Sequence, residues 1–426
     1  MADPEKVRVT HIVTNPSGGA GRAACRLHEG LVKIGFDSTL LAARPASDVT
    51  NVIEFKESKR LADRAPRWFR RKHHTWRGRG IRSAPQPIFE QFSLDSYPAG
   101  HEVARILPPD TIIHLHWVAG FVDYRAFFKD VRGRTIFWTL HDMNPFTGGC
   151  HFDNGCGRFS STCGLCPQLG STRENDLSRD IWQRKHRALN GIGPEGLHLI
   201  CPTRWLASAA SRSSLLGSRP CNVIPCGLDT ETFKPANKLE ARKKLGLPEN
   251  AHIVLFVADS IDNQRKGYEH FLTSLTHLRT DDSLFLLSVG ANPAPLPDAF
   301  RARHLGTLND DREIATAYNA ADIFAMPSLA DNLPNTIMES LACGTPVVAY
   351  ASGGIPELVE PMETGLLVTT GDTLALAQGI QRMLQDAALR EHCSKTGRTR
   401  MVERHSVEKL ARQYIELYAK YAPAHN

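Results

Sequence analysis

Short apolar segments alternate with amphipathic helical segments along almost the whole chain, and this alternation is the strongest constraint on its fold. An amphipathic helix between two buried strands is typical of the β–α–β unit, whose strands run parallel. In the first half of the chain the predicted strands are Val7–Val13, Ser38–Ala42, Thr111–Leu115, Thr135–Leu140 and Leu197–Cys201. In the second half they are Ile253–Ala258, Leu284–Val289, Asp322–Met326 and Val347–Ala349. The predicted fold is therefore α/β, with two doubly wound parallel sheets of the Rossmann type.

The length of the chain supports a division into two such domains. At roughly 150 residues per domain, 426 residues exceed a single domain. We place the first domain at residues 1–220, the second at 221–405 and a closing amphipathic helix at 406–426. This helix needs an apolar surface to cover, and the first domain is a candidate. Ligands of open α/β sheets bind beyond the carboxyl ends of the strands. We therefore expect the functional residues in strand-to-helix loops that face a cleft between the domains.

The composition is that of an ordinary globular protein. Hydrophobic residues make up 42% of the chain and charged residues 23%, which is too apolar for a disordered chain. No apolar run approaches the roughly 18 residues of a membrane-spanning helix. The start, Met1–Lys6, leads into a strand-like segment without the apolar stretch of a signal peptide. These features predict a cytoplasmic enzyme.

The positive charge is concentrated in residues 56–82. This segment holds eleven Lys or Arg and two acids, whereas the rest of the chain has 40 bases and 43 acids. Trp68, Phe69 and Trp76 lie inside it. A basic segment with aromatic residues suits the anionic inner face of a membrane, and Arg beside aromatic rings also suits nucleic acid. We favour the membrane over a solvated insertion, and both over nucleic acid.

Two loops of the first domain carry groups suited to a ligand. Asn15–Gly21 follows the first strand and opens a helix, whose free amides favour a phosphate. Its glycines lie at positions 18, 19 and 21, which is not the G-x-G-x-x-G spacing of a dinucleotide site and argues against an NAD-dependent enzyme. His141 follows a later strand, and His114 and His116 end the preceding one. We expect a polar floor of the cleft there, with His141 in contact with the substrate.

Two loops of the second domain carry charged residues. Arg265 and Lys266 open the helix that follows its first strand, and two cations at a helix N-terminus are unfavourable unless an anion is bound there. The amides of Asn332–Thr336 open a later helix and could cradle a diphosphate. Asp331 precedes that helix, and Glu339 lies within its apolar run and needs a partner if it is buried. Phosphate and sugar binding is the interpretation we favour here.

These segments resemble the retaining family-4 glycosyltransferases, which have the GT-B fold of two Rossmann-like domains facing a cleft. The run from Asp331 to Ala349, with the paired acids Asp331 and Glu339, is similar to their donor-site segment. Val223–Asp229, Gly353–Glu357 and the N-terminal glycine loop are similar as well. The resemblance covers nearly the whole chain. It implies transfer of a sugar from a nucleotide-sugar donor to an acceptor hydroxyl, with retention of configuration and without a catalytic metal or other cofactor.

The resemblance also implies a role for each site residue. Arg265 and Lys266 would neutralise the donor diphosphate, and Glu339 would bind the nucleotide ribose. Asp331 would contact the sugar hydroxyls, although the family usually has Glu there, and His141 would contact the sugar near the reacting carbon. The catalytic set is therefore His141, Asp331 and Glu339, and the remaining donor-binding residues are Gly18, Gly19, Asn332, Leu333 and Pro334.

Four of the ten cysteines are crowded into a glycine-rich loop, residues 142–170: Cys150, Cys156, Cys163 and Cys166. In a reducing compartment such a group suggests a structural zinc ion that holds a loop without its own apolar core. His151 is an alternative ligand. An iron–sulfur site and unligated thiols are the other interpretations, and we favour zinc over both.

The partners expected from these features are a UDP- or GDP-sugar, a glycan or lipid-linked acceptor and an anionic membrane surface, in the synthesis of a cell-surface polysaccharide or glycolipid. No nucleic acid is expected. Two alternatives stand beside this function. One is a nucleic-acid-binding protein built around residues 56–82, and the other is a different GT-B enzyme such as a nucleotide-sugar epimerase.

Overall fold

The computed structural model describes residues 7–45, 49–82, 84, 89–261, 263–278, 283–292 and 300–422, without the side chains of residues 61–65. Met1–Lys6, on which the expectation about a signal peptide depends, lies outside the described residues. The chain divides into two compact units. Unit 1 consists of Met1–Pro225 with Leu410–Asn426, and unit 2 of Cys226–Lys409. No helix among the described residues is long and apolar enough to cross a membrane.

Unit 1 is built on a seven-stranded parallel sheet in the order β3-β2-β1-β4-β5-β6-β7. The central strands β4, β5 and β6 are buried along their whole length, as expected for a sheet covered on both faces. The strands are β1 (Arg8–Val13), β2 (Asp37–Ala42), β3 (Val52–Glu54), β4 (Ile112–Leu115), β5 (Ile136–Thr139), β6 (Leu197–Cys201) and β7 (Cys221–Val223). The helices before the second unit are α1 (Gly19–Lys33), α2 (Leu61–Arg77), α3 (Arg79–Arg82), α4 (Tyr124–Asp130), α5 (Leu177–Leu189) and α6 (Arg204–Ser211).

Unit 2 repeats this plan with a six-stranded parallel sheet in the order β10-β9-β8-β11-β12-β13. Its strands are β8 (His252–Ser260), β9 (Leu284–Ala291), β10 (Arg301–His304), β11 (Ile323–Met326), β12 (Val347–Tyr350) and β13 (Gly365–Val368). The helices that follow α6 in the chain are α7 (Lys238–Lys244), α8 (Tyr268–Leu275), α9 (Asp311–Ala320), α10 (Asn335–Ala342), α11 (Thr373–Gln385), α12 (Ala387–His405) and α13 (Val407–Tyr421).

Each sheet has one point where the strand order reverses. The crossing brings β4 beside β1 in unit 1 and β11 beside β8 in unit 2. Loops that leave neighbouring strands in opposite directions open a crevice at the carboxyl end of the sheet, where α/β proteins bind their ligands. The residues that follow β1, β4, β8 and β11 are therefore the ones that this fold makes available to a ligand.

The predicted α/β class with two parallel sheets is confirmed, whereas several elements were not predicted. Strands β3, β7 and β10 are short, largely exposed edge strands and lack an apolar run. Helix α12 buries a narrow stripe of residues spaced by four: Leu389, Cys393, Gly397, Met401 and His405. A stripe that contains Gly and His on an otherwise polar helix leaves little hydrophobic periodicity in the sequence.

The closing helix α13 begins at Val407, and its residues from Leu410 onward belong to unit 1. Its buried residues Leu410, Ala411, Tyr414 and Tyr418 pack with apolar residues of α1, β1, β4, β5 and β6. The hydroxyl of Tyr418 lies 2.5 Å from Nδ1 of His114 on β4. The last helix of the chain is therefore part of the core of the first unit.

We expect Tyr418→Ala to lower the free energy of unfolding of unit 1 by about 3–5 kcal/mol, because it removes a completely buried aromatic side chain from this core. All six tryptophans belong to unit 1, so tryptophan fluorescence during urea unfolding follows this unit. Glu416→Ala changes the exposed side of the same helix and should alter stability by less than about 0.5 kcal/mol. Equal losses of unfolding free energy in Tyr418→Ala and Glu416→Ala would contradict the packing of α13 against unit 1.

Candidate active site

The loop after β8 presents the two adjacent cations. The side chain of Asn263 accepts a hydrogen bond from the Arg265 amide at 3.1 Å, which shapes a single 3₁₀ turn over Gln264–Lys266. Gly267 follows with φ of 73°, and a Cβ there would lie 2.0 Å from the carbonyl oxygen of Pro327. Helix α8 begins only at Tyr268. The sequence had suggested that the two cations open this helix. In the structure they precede it instead.

Asp331, in the loop after β11, lies against both cations. Its Oδ2 is 2.8 Å from Lys266 Nζ and 3.2 Å from Arg265 Nη1. Burial alone would raise the pKa of this carboxyl, but the charges of Lys266 and Arg265 outweigh burial, and the pKa lies below its ordinary value. The anion that the sequence predicts beside the two cations is thus supplied in part by Asp331. The trio of Arg265, Lys266 and Asp331 carries a net charge of +1.

The backbone fixes the position of Asp331. The Gly354 amide donates to the Asp331 carbonyl at 3.0 Å, and the Asn332 amide donates to its Oδ1 at 3.1 Å. Gly353 has φ of 58°, and a Cβ there would lie 1.9 Å from the Asp331 carbonyl oxygen. Residues after β12 therefore support the loop after β11, which explains the glycines in the segment Gly353–Glu357.

Glu339 lies on α10 and is almost completely buried at 3% exposure. The hydroxyl of Tyr318, on α9, donates to its Oε2 at 3.3 Å. A buried carboxylate needs such partners, so the sequence-based requirement for a partner of Glu339 is met by a residue that the sequence analysis did not select. Asn332 and Pro334 are buried as well, whereas Leu333 is partly exposed.

Two further loops meet beside this region of unit 2. The Gly290 amide, at the end of β9, donates to the Gly306 carbonyl at 2.9 Å. A Cβ on Gly290 would lie 2.2 Å from the Ala258 carbonyl oxygen on β8. The loops after β9 and β10 are thereby held close to the carboxyl end of β8.

In unit 1 the glycine loop is shaped by Asn15, whose side chain accepts hydrogen bonds from the Ser17 amide and hydroxyl at 3.3 and 2.9 Å. Gly18 precedes α1, and the helix begins at Gly19. A Cβ on Gly21 would lie 1.9 Å from the Asn15 carbonyl oxygen, whereas a Cβ on Gly19 would meet nothing within 4 Å. Gly21 is thus required by the fold, and Gly19 borders open space.

Buried histidines form a hydrogen-bonded row across the centre of unit 1. Nδ1 of His11, on β1, lies 2.9 Å from Nε2 of His116, and Nδ1 of His116 lies 3.1 Å from Nε2 of His141. His114 contacts the Tyr418 hydroxyl and, through Nε2, Thr139 Oγ1 at 2.8 Å. The structure therefore connects the predicted His141 to His116 and, through it, to His11 by hydrogen bonds, whereas the His114 ring packs beside the rings of His11 and His116, with centroids 4.9 and 4.3 Å away.

Burial keeps these imidazoles neutral. It lowers the pKa of His114 to about 3, and it lowers the pKa of His141 to about 4 although the Asp142 charge acts in the opposite direction. The pKa values of His11 and His116 are lowered well below the ordinary value, first by burial and then by neighbouring histidines. A neutral His141 donates or accepts a hydrogen bond without carrying charge at pH 7.

In the described part of the chain, His11, His114 and His116 form the one group of three potential metal ligands whose donor atoms lie within 4.8 Å of one another. The group contains no carboxylate, so a divalent cation would bring uncompensated charge into the core. Both ring nitrogens of His114 and of His116 already make hydrogen bonds. We therefore assign His11 and His116 to the hydrogen-bonded row, and His114 to its own hydrogen bonds with Tyr418 and Thr139.

Asp142 follows His141 and joins a second polar group that the sequence analysis did not identify. Its Oδ2 accepts from Trp117 Nε1 at 2.9 Å and lies 2.6 Å from Nδ1 of His151. The other ring nitrogen of His151 contacts Ser93 Oγ at 2.8 Å. His151, an alternative zinc ligand in the sequence analysis, thus has both nitrogens engaged elsewhere, and the structure does not support that alternative.

Comparison with known proteins identifies the family. Residues 17–232 match the model of Glycosyltransferase Family 4, and residues 237–400 match that of Glycosyl transferases group 1. The chain belongs to glycosyltransferase family 4. The predicted resemblance is thereby confirmed, and the family-4 assignment favours a glycosyltransferase over the nucleic-acid-binding and epimerase alternatives.

Two curated relatives of this family-4 chain are a synthase and a mannosyltransferase. The alpha-maltose-1-phosphate synthase of Mycobacterium tuberculosis is 30% identical over 243 residues, which are 50% of this chain and 62% of the relative. A GDP-mannose-dependent monoacylated alpha-(1-6)-phosphatidylinositol monomannoside mannosyltransferase of Corynebacterium glutamicum is 30% identical over 256 residues, which are 55% of this chain and 65% of the relative. The matches span less than two thirds of the length of these two relatives.

Among solved structures, Anabaena HepE in complex with UDP and glucose is similar to this family-4 chain, with a TM-score of 0.65 and 15% identity. The similarity covers 97% of this chain and 100% of that chain. It confirms the predicted GT-B fold class of two Rossmann-like domains.

The histidine row predicts a pH dependence of stability. Because the folded-state pKa of His114 lies far below about 6.5, the unfolded chain gains a proton on acidification that the folded chain does not, and stability falls. Between pH 7 and 5.5 this histidine should account for about 1.2 kcal/mol of lost stability. His114→Gln should reduce the loss by that amount, measured by urea unfolding with tryptophan fluorescence. Tyr418→Phe keeps the histidine and should keep the full pH dependence, and identical pH profiles for wild type and His114→Gln would refute the assignment.

Proposed function

We propose that this family-4 glycosyltransferase transfers a sugar from a UDP- or GDP-sugar to an acceptor hydroxyl in the synthesis of a cell-surface polysaccharide or glycolipid. The observation that carries the proposal is the trio of Arg265, Lys266 and Asp331. It lies in the loops after β8 and β11, where the strand order of unit 2 reverses. This is the position at which a doubly wound sheet binds a nucleotide.

The reaction breaks the bond between the sugar C1 and the diphosphate oxygen and forms a bond between C1 and the acceptor oxygen. The acceptor proton passes to the departing diphosphate. We propose that the acceptor enters on the face from which the diphosphate leaves, so that the configuration at C1 is retained. Charge accumulates on the diphosphate, and catalysis therefore depends on cations already directed at it.

Arg265 and Lys266 are suited to that charge. Arg265 is held by the Ala330 carbonyl at 2.7 Å as well as by Asp331, so its position is fixed before a ligand arrives. Lys266 Nζ retains hydrogen-bonding capacity beyond its bond to Asp331, because an ammonium has three donors. Asp331 remains able to accept from sugar hydroxyls through its oxygens. We propose that these cations make a divalent metal unnecessary.

The other site residues have supporting roles in this proposal. Glu339, buried in the middle of α10, would accept hydrogen bonds from the ribose hydroxyls. The neutral imidazole of His141 would bind a hydroxyl of the sugar, with its ring orientation set by His116. Gly19, which borders open space, would allow a ligand to approach the first amides of α1. The UDP of HepE and the GDP-mannose of the C. glutamicum relative support a choice between these two nucleotides.

The nucleotide should stabilise the protein in the absence of divalent metal. At a hundred times its dissociation constant a ligand adds about 2.7 kcal/mol to the free energy of unfolding. We expect UDP or GDP to raise the melting temperature selectively in a comparison with ADP, CMP and dTDP in the presence of a chelator. Lys266→Ala should weaken the binding about 10- to 100-fold, since it removes one charged hydrogen bond to phosphate.

The matched control is Lys395→Ala, on the exposed surface of α12, where the lysine contacts Glu391. This variant should bind the nucleotide like the wild type. The absence of a response to any of the five nucleotides would refute the proposed donor class. Proton NMR of the product then reports the anomeric configuration, and an inverted product would refute retention alone.

Helix α2 supports a second proposal, because two of its arginines face the protein while its aromatic side chains are exposed. Arg67 is buried and pairs with Glu102 at 2.5 Å, and Arg77 is buried and pairs with Asp95 at 2.8 Å. The sequence analysis assigned the surrounding arginines to an anionic surface. These two instead anchor the helix on unit 1, because a buried guanidinium must be paired.

The opposite side of α2 is aromatic and exposed. Trp68, Phe69 and Trp76 are 50%, 66% and 62% exposed. The ammonium of Lys72 lies 3.8 Å from the centroid of the Trp68 ring. Exposed aromatic residues gathered on one helix mark an interaction surface. Exposed bases surround them: Lys56, Lys59, Arg60, Arg70, Arg71, Lys72, Arg79 and Arg82.

We propose that this aromatic face of α2 docks on an anionic membrane, at its cytoplasmic side, where a lipid-linked acceptor would be available. Aromatic rings at the level of the headgroups and a ring of bases suit such a surface. The acceptor phosphate of a lipid carrier could meet the same bases. This location would make the enzyme a peripheral membrane protein.

Vesicle flotation tests the docking. The protein should float with vesicles that contain phosphatidylglycerol, and much less with pure phosphatidylcholine, and salt should weaken the binding. The variant Trp68→Ser/Phe69→Ser/Trp76→Ser should lose at least about 10-fold in binding, because it removes the apolar contact.

Leu374→Ser is the control, since Leu374 is also 50% exposed but lies in unit 2. It should float like the wild type. Equal binding to neutral and anionic vesicles, unaffected by salt, would refute the electrostatic part. Preferential binding to a DNA oligonucleotide that vesicles cannot displace would favour the nucleic-acid alternative instead.

A further inference from the structure

The cysteine-rich loop between β5 and α5 is long and has almost no regular structure. It contains only the short 3₁₀ turns Asn144–Phe146, Arg158–Ser160 and Pro167–Leu169. Loops of this length without helix or strand are uncommon in compact units and need another source of order. Met143, Phe146 and Phe159 of the loop pack in the main core of unit 1. The apolar cluster beside Cys150 and Cys166 is small and includes Phe92, Leu94 and Ile181.

The four cysteines of this loop line one small cavity of about 20 Å³. These cysteines are Cys150, Cys156, Cys163 and Cys166, and all four are free thiols in the structure. A single water-sized sphere needs about 10–15 Å³, so the cavity has room for one ion.

The backbone around the cavity points polar hydrogens toward sulfur. The Gly148 amide donates to Cys163 Sγ at 3.2 Å. Cys163, Gly164 and Leu165 all have positive φ values, of 49°, 105° and 49°. Such a conformation is unfavourable for Cys and Leu. A tight turn is thus held in a strained form beside two of the thiols, as expected where the turn serves a ligand.

A buried cation lies beside the same loop. Lys185, on α5, is completely buried, and its ammonium donates to the carbonyls of Asn144 and Thr147. Among the described residues it makes no ion pair with a carboxylate within 4 Å. A zinc ion bound by four thiolates carries a net charge of −2, which would compensate this buried ammonium.

We propose that Cys150, Cys156, Cys163 and Cys166 bind one structural zinc ion, which fixes the loop that starts at His141 and Asp142. Zinc bound by four thiolates has Zn–S distances of about 2.3 Å and sulfurs about 3.8 Å apart. In the structure no three of the four sulfurs lie within 4.8 Å of one another. The proposal therefore requires the cysteine side chains to rotate toward the cavity they share when zinc binds.

This site is structural because four cysteines complete a tetrahedral shell and leave no position for substrate. His151 is excluded as a ligand because its ring nitrogens contact Asp142 and Ser93. The proposal does not depend on the sugar-transfer reaction. Its failure would leave the proposed function unaffected, and the reverse also holds.

Elemental analysis of the full chain, purified without added metal, tests the proposal. We expect one zinc per chain, and less than about a fifth of an equivalent in Cys163→Ser and Cys166→Ser, because three thiolates hold zinc more weakly than four. Cys221→Ser is the control, since Cys221 is an exposed cysteine on β7, and it should keep the zinc. Nucleotide binding, measured on the same preparations, distinguishes a metal defect from a defect of the donor site.

If the serine variants do not fold, the wild-type protein still provides the test. Titration with an organomercurial in the presence of a zinc-binding dye should release one zinc as four thiols react. Cobalt substitution should give the intense visible and near-ultraviolet bands of a tetrahedral thiolate complex. Less than about half an equivalent of zinc with four freely reactive thiols would overturn the proposal. Iron with sulfide in place of zinc, or two disulfides among the four cysteines, would overturn it as well.

Discussion

One buried carboxylate, Asp331, connects the parts of unit 2 that carry the candidate donor site. It binds Arg265 and Lys266 from the loop after β8, and its own backbone is held by Gly354 after β12. The loops after three neighbouring parallel strands, β8, β11 and β12, thus meet at the Asp331 carboxylate. Their relative positions follow from the strand order, because the carboxyl ends of adjacent parallel strands lie at the same edge. The carboxylate offsets part of the repulsion between the two cations and keeps them in place for a more highly charged ligand.

The core of unit 1 differs from that of unit 2 because it buries a row of polar imidazole groups. The row formed by His11, His116 and His141 passes hydrogen bonds from strand to strand without placing charge inside. Tyr418, from the far end of the chain, bonds to the neighbouring buried His114. Neutral imidazoles can do this because each has one donor and one acceptor nitrogen. The ring orientation of His141, which follows β5, is thereby set by His116.

The basic segment and the cysteine loop are both visible in the sequence, but the contacts of their side chains are not. Charge counting locates the basic segment correctly, yet it does not reveal that Arg67 and Arg77 face inward while Trp68 and Trp76 face outward. The reason is that Glu102 and Asp95, which pair with these two arginines, lie outside the segment. The cysteines are similarly visible in the sequence, whereas the buried ammonium of Lys185 beside them is not, because α5 brings it there.

The sequence by itself determined the fold class, the family and the identity of the candidate site residues, because hydrophobic periodicity and motifs such as Asp331–Glu339 are local properties of the chain. The edge strands β3, β7 and β10 escaped it, since they lack a buried apolar run. The edge strand β13 was not predicted either, because its apolar run Leu366–Val368 is very short. Only the tertiary structure decided the pairing of Asp331 with Lys266, of Glu339 with Tyr318 and of His114 with Tyr418. Each of these contacts joins residues from separate elements, and a single sequence carries no signal for the distance between side chains that the fold brings together.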